Sequence, residues 1–174
     1  MPQTGIDRAF LDFSSTKLRE LASRIDTCLS QLTAEQIWTR GGENENAVGN
    51  LVLHLCGNVR QWIVASIGGE PDARQRDAEF AARGGLNTQQ LRERLESTVA
   101  QATGVLNAVT TQRLSDRLTI QGYEVSVLDA IYHVVEHFAM HAGQIIFITK
   151  MLSGTDLGFY RHLSASAAHS EKAP

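Results

Sequence analysis

The sequence has little proline and little cysteine. Its 174 residues contain only Pro2, Pro71 and Pro174, so nothing between positions 2 and 71 forbids long helices. Two cysteines, Cys28 and Cys56, are too few for a disulfide framework, and they predict reduced, buried thiols in a reducing interior. No apolar run approaches the ~18 residues of a membrane span. The N-terminus lacks the basic stretch and apolar run of a secretion signal. The expectation is a soluble, cytoplasmic protein with no membrane partner. Basic charge is not in excess: 16 Lys and Arg stand against 19 Asp and Glu, a net charge of −3, which argues against a nucleic-acid partner. There is no alternation of strand and helix patterns, no Gly-rich phosphate loop after a strand, and no serine in a nucleophile-elbow context.

What is present is helical periodicity. Phe10, Phe13, Leu18, Leu21, Ile25, Cys28, Leu29 and Leu32 recur at steps of three, four and seven, predicting a helix over about 6–32. Thr33-Ala34-Glu35-Gln36 reads as a capping box that opens a short turn. A second helix is expected over about 47–67. It is apolar around most of its circumference, as suits a helix lying between others, and Gly68-Gly69-Glu70-Pro71 ends it. Residues 72–85 are charged and read as a loop with one helical turn near Phe80. Such a run is ordinarily a solvated face, although Arg74, Arg76 and Arg83 are also cations that a carboxylate-bearing thiol would meet. A third helix is expected over about 88–109, with Leu91, Leu95, Val99, Ala102 and Leu106 as its buried stripe. Residues 114–125 fit either an extended connector or a small hairpin. Ser126, with Asp129 three residues on, caps a fourth helix that runs to about 152, where Ser153-Gly154 stops it. Four amphipathic helices predict an all-α four-helix bundle, a single domain over 1–163 with a polar tail over 164–174.

The chemistry gathers on the fourth helix. His133, His137 and His141 lie four residues apart, and each step rotates only ~40° about the axis, so they share one face. A four-residue His pair can reach one metal ion, and a third ligand must come from another element. His54, in the apolar run Leu51-Val52-Leu53-His54-Leu55, is the candidate. A histidine in such a run is more often a hydrogen-bonded core residue. Burying several imidazoles in one bundle nevertheless demands partners, and a metal ion provides them. Glu136, Asp129, Asn50, Asn58 and Gln144 are available to hold the imidazoles in place. No residue stands out as catalytic.

The stretches Tyr132–Ile145, Asn50–Asn58 and Asp156–Tyr160 resemble the DinB-like superfamily, also called YfiT-like metal-dependent hydrolases, and the late segment is similar to an uncharacterised branch of it. The resemblance implies an up-down-down-up bundle, commonly a homodimer. It implies one divalent ion, usually nickel or zinc, on His54, His137 and His141, with His133 one turn earlier and outside the ligand set. Where the family often has arginine before Gly-Gln, this chain has Ala142. Relatives of known activity include bacillithiol-using S-transferases and a mycothiol-dependent isomerase. The resemblance therefore implies a metal-dependent enzyme that activates a low-molecular-weight thiol or water against a small-molecule substrate. The alternative is a non-catalytic metal- or small-molecule-binding bundle with a structural metal.

Overall fold

The computed structural model describes residues 5–163; the tail expected over 164–174 lies outside them. Helix α1 spans Ile6–Ser30. The short α2, Ala34–Trp38, opens on the capping box: Thr33 Oγ1 accepts from Gln36 N–H, and Gln36 Oε1 accepts from Thr33 N–H. Helix α3 spans Val48–Val59 and continues as one π-helical stretch, Arg60–Ala65. The turn near Phe80 is α4, Arg76–Ala81. Helix α5 is Thr88–Ala108, capped by Asn87. Residues left open between connector and hairpin form the hairpin: strands β1, Arg117–Ile120, and β2, Tyr123–Ser126, pair antiparallel with Ile120 opposite Tyr123. Helix α6 is Val127–Ser153, capped by Ser126 and closed by Gly154 in the left-handed conformation.

Four long helices share one apolar core. Helix α1 packs on α5 and α6, and α3 packs on the same two. Cross-helix contacts give the directions. Arg92 near the start of α5 pairs with Asp26 near the end of α1, and Arg8 reaches the Asn107 carbonyl, so α1 and α5 are antiparallel. Cys56 meets Thr98, and Arg60 donates to Gln101 at 2.6 Å, so α3 and α5 run parallel. Cys28 meets Thr149, so α1 and α6 also run parallel. The topology is up-down-down-up, as the resemblance implies. Parallel neighbours need long return connections. The return from α3 to α5 carries α4 and is called the strap below.

Two details fix the elements around the later site. Gly49 lets the Trp38 ring lie on the first turn of α3, since a Cβ there would come within 2.8 Å of ring carbons. Asn50, wholly buried, accepts from its own helix start at Ala47 N–H and donates to the Glu79 and Ala82 carbonyls, both at 2.9 Å. It therefore clamps the strap to α3. Both cysteines are free and fully buried. Burial pushes the Cys56 thiol up to about 11, against a small pull from Thr98, so it is not a ready thiolate.

A candidate metal centre between α3 and α6

His54 lies midway along α3 and is buried, whereas His137 and His141 lie one turn apart on α6 and are half-buried. The helices cross so that the three Nε2 atoms converge. His54 Nε2 is 3.0 Å from His137 Nε2, and His141 Nε2 is 3.2 Å from the same atom. For zinc–nitrogen bonds of 2.0–2.1 Å in a tetrahedron, ligand nitrogens stand about 3.3 Å apart. The observed spacing therefore suits three ligands of one ion. Three like-facing nitrogen lone pairs this close need a cation or a proton between them.

The opposite ring nitrogens say which tautomers are present. His141 Nδ1 lies 2.7 Å from Gln144 Oε1, which accepts its proton. His54 Nδ1 lies 3.0 Å from Glu79 Oε2, which does the same. Each bond leaves Nε2 with its lone pair aimed at the shared point. His137 Nδ1 is buried and has no hydrogen-bond partner among the described residues. Burial, reinforced by neighbouring His141, His54, His133 and Arg74, drives the His137 pKa down to about 3. Burial also lowers that of His141, more than its bond to Gln144 raises it. These two rings are neutral at ordinary pH, as ligands must be.

His133 lies beside this group without joining it: its ring is tilted against Trp62 at 4.2 Å between centroids and lies 5.6 Å from the His137 ring, but its nitrogens are not among the converging atoms. Of the residues available to support the imidazoles, Gln144 is the one that hydrogen-bonds a ring among the described residues, and Asn58 is buried with its Oδ1 unpartnered. Asn50 holds the strap, Asp129 caps α6, and Glu136 is exposed.

As a charged run predicts, most of residues 72–85 are exposed, Asp72, Arg76, Asp77 and Arg83 among them; the side chains of Arg74 and Glu79 are the exceptions. Arg74 and Glu79 are buried, and their bidentate pair has both contacts at 2.9 Å. Burial opposes the Glu79 charge, but the bonds from His54 and Arg74 outweigh it and hold its pKa below the usual range. Arg83 caps the Phe80, Ala81 and Ala82 carbonyls. Arg76 makes no hydrogen bond or ion pair among the described residues; its guanidinium lies over the Phe80 ring, which in turn lies 4.6 Å from the His54 ring. Sequence reasoning missed Glu79 because a carboxylate in a charged run looks like surface. The signal that would have found it is chemical: a ligating imidazole needs an acceptor for its other nitrogen. A cleft of about 280 Å³, lined by Gly57, Arg60, Arg94 and the outer side of the Arg74–Glu79 pair, contains none of the three histidines.

Residues 5–167 match the family described as a protein of unknown function, DUF1572. This chain belongs to that family. Among solved structures the DUF1572 chain is similar to a conserved protein from Enterococcus faecalis, at 19% identity and a TM-score of 0.70 over 83% of this chain and 97% of that one. It is also similar to a DinB-like protein, YjoA, from Bacillus subtilis, at 14% identity and a TM-score of 0.65 over 84% and 96%. A third neighbour is a mycothiol-dependent maleylpyruvate isomerase, at 18% identity and a TM-score of 0.61 over 80% and 67%. At these identities the likeness establishes the DinB-like fold alone. No curated protein matches the sequence. Among the described residues no helix is long and apolar enough to cross a membrane.

Proposed function

We propose that this DUF1572 protein holds one divalent ion, nickel or zinc, on His54, His137 and His141. We further infer that it is a metal-dependent enzyme of the thiol S-transferase or hydrolase type, acting on a small molecule. The observation behind this reading is the convergence of three imidazole Nε2 atoms with two of the rings half-exposed. Among the described residues no fourth histidine, cysteine or carboxylate joins them. Structural metal sites are closed by four protein ligands, whereas catalytic ones keep a position open. A divalent ion, when bound, would acidify a thiol or water at its free positions.

The chain's own residues would do the rest. Glu79 and Gln144 hold two of the imidazoles in the ligating tautomer. Trp62 packs on His133, and Phe80 packs on the His54 ring with the Arg76 guanidinium over it, which brings a cation near the site. Arg76 would receive an anionic group of the substrate, which suits a low-molecular-weight thiol bearing carboxylates. Mycothiol dependence in one structural neighbour supports a thiol cosubstrate. The competing reading, a metal that only stabilises the bundle, draws support from Glu79. This acid beside the site is already engaged by His54 and Arg74, which leaves it unfit as a general base. We propose a homodimer in the reducing cytoplasm. The exposed Tyr132, Met140, Phe147 and Met151 along α6 supply an apolar face, and sedimentation should give twice the 19.1 kDa chain mass.

Metal analysis of protein purified without a histidine tag should find one divalent ion per chain. His141→Ala should abolish tight binding, and His162→Ala should not. Cobalt-loaded protein titrated with a dicarboxylate thiol should develop a thiolate charge-transfer band, weakened in Arg76→Ala. Failure to bind any divalent ion would overturn the site. Metal without thiol binding or turnover would favour the structural reading.

A further inference from the structure

Arg74 and Glu79 form the most buried arginine–carboxylate pair among the described residues, with side chains 4% and 10% exposed. Burying two full charges is costly, and such a pair is weak evidence of a stability role. The pair lies directly behind the His54 ring. Glu79 Oε1 and Oε2 accept from Arg74 Nε and Nη2, and Oε2 lies 3.0 Å from His54 Nδ1. Arg74 Nη2 is itself only 3.2 Å from the same Nδ1.

These two approaches to Nδ1 require opposite tautomers. A carboxylate only accepts, so it needs Nδ1–H; a guanidinium only donates, so it needs a bare Nδ1. With Glu79 present, Arg74 turns its Nε–H and the adjacent Nη2–H to the carboxylate, whose Oε2 can then accept only from Nδ1–H, and that tautomer satisfies all three groups. Nε2 then carries the lone pair that faces His137. The surroundings are shaped for this arrangement. At Gly57 of α3, a Cβ would lie 1.8 Å from Glu79 Oε1 and 3.1 Å from Arg74 Nε, so only glycine leaves the notch the pair occupies. Gln61, in the π-helical stretch, accepts from Arg74 Nη1 at 2.9 Å and so aims the guanidinium.

We propose that Glu79, seated in the Gly57 notch, is a positioning residue that fixes His54 in its ligating tautomer, and that without it Arg74 imposes the opposite, non-ligating one. The metal consequence rests on the three-histidine reading above; the tautomer consequence does not.

Nitrogen-15 NMR of the full-length metal-free protein reads the tautomer, and zinc titration against a chromophoric chelator reads the affinity. Wild type should show His54 as Nδ1–H. Glu79→Ala should switch it to Nε2–H and weaken zinc binding about 10–100-fold. The double variant Arg74→Ala/Glu79→Ala should bind zinc more tightly than Glu79→Ala alone, because the competing donor is gone; a merely structural role predicts the reverse order. Gly57→Ala, which touches no ligand, should shift the tautomer in the same direction as Glu79→Ala. The proposal is overturned if Glu79→Ala keeps Nδ1–H and binds zinc within about threefold of wild type. It is equally overturned if the double variant binds no better than the single one. Should wild type bind no zinc, the metal reading falls, while the tautomers of wild type and Glu79→Ala still decide the role of Glu79.

Discussion

His133, His137 and His141 have the same spacing and different fates. His133 lies against Trp62, and its loss removes a ring stack rather than a ligand. His133→Ala should cost about 0.5–1.5 kcal/mol of stability and leave metal affinity within a few-fold, measured beside His141→Ala, which should lose it. His137 carries the clearest pH signature. Its pKa falls to about 3 in the fold, chiefly through burial, against about 6.5 in the unfolded chain. The unfolded chain therefore takes up the proton first as pH drops. The stability due to neutral His137 is complete above about pH 6.5 and is lost between there and pH 3, at up to about 1.4 kcal/mol per pH unit. Glu79 and Asp129 also lose stabilising charge in acid. The test is therefore a comparison: metal-free His137→Asn, with no such proton to gain, should show a shallower acid limb in urea titrations than wild type. Proton competition for a metal at His137 would likewise move below the ordinary imidazole pKa of about 6.5. Helical spacing and an apolar context marked the α6 histidine face and His54, whereas only the resemblance set His133 apart from the three that converge. Glu79 and Arg74 were not legible, because their burial depends on a glycine more than fifteen residues away in sequence.

Among the elements, capping signals were the most legible feature. Thr33 with Gln36, Asn87 with Gln90 and Ser126 with Asp129 each close the reciprocal pair, although the Asn87 pair was not read from sequence. Removing the cap of α6 by Ser126→Ala should cost about 1 kcal/mol in chemical denaturation. Metal affinity should not change, because His137 lies about three turns further along. The π-helical stretch at Arg60–Ala65 was invisible to periodicity, since 47–67 reads as one uninterrupted helix. The stretch carries Gln61, which accepts from Arg74, and Trp62, which packs on His133. The hairpin stayed open in the sequence because Leu118, Ile120, Tyr123 and Val125 fit a lone extended connector equally well. Pairing across Gln121-Gly122, both at positive φ, decides it.

At the scale of the whole molecule, periodicity foretold four helices but not which of them are neighbours. The parallel pairs α1–α6 and α3–α5 came only from the resemblance, because sequence periodicity says which face of a helix is buried and nothing about against what. The same topology explains why the strap exists: parallel neighbours oblige the chain to travel back along the bundle, and that return passes the back of His54.

The contact between His54 and His137 joins positions 83 residues apart in the chain. An ion bridging them would be a removable cross-link, closing a loop that covers nearly half the polymer. In the chain-entropy view, tying so long a loop removes about 4–5 kcal/mol of freedom from the unfolded ensemble. Metal in about hundredfold excess over its Kd should add about 2.7 kcal/mol to folding, or about 5–10 °C in Tm for a chain of this size. Calorimetry before and after chelation would show it, and a Tm indifferent to metal would count against the bridge. Such a protein would register metal supply in its lifetime as well as its chemistry: starved of the ion, it would be a looser polymer, more open to proteolysis at the strap and quicker to be cleared.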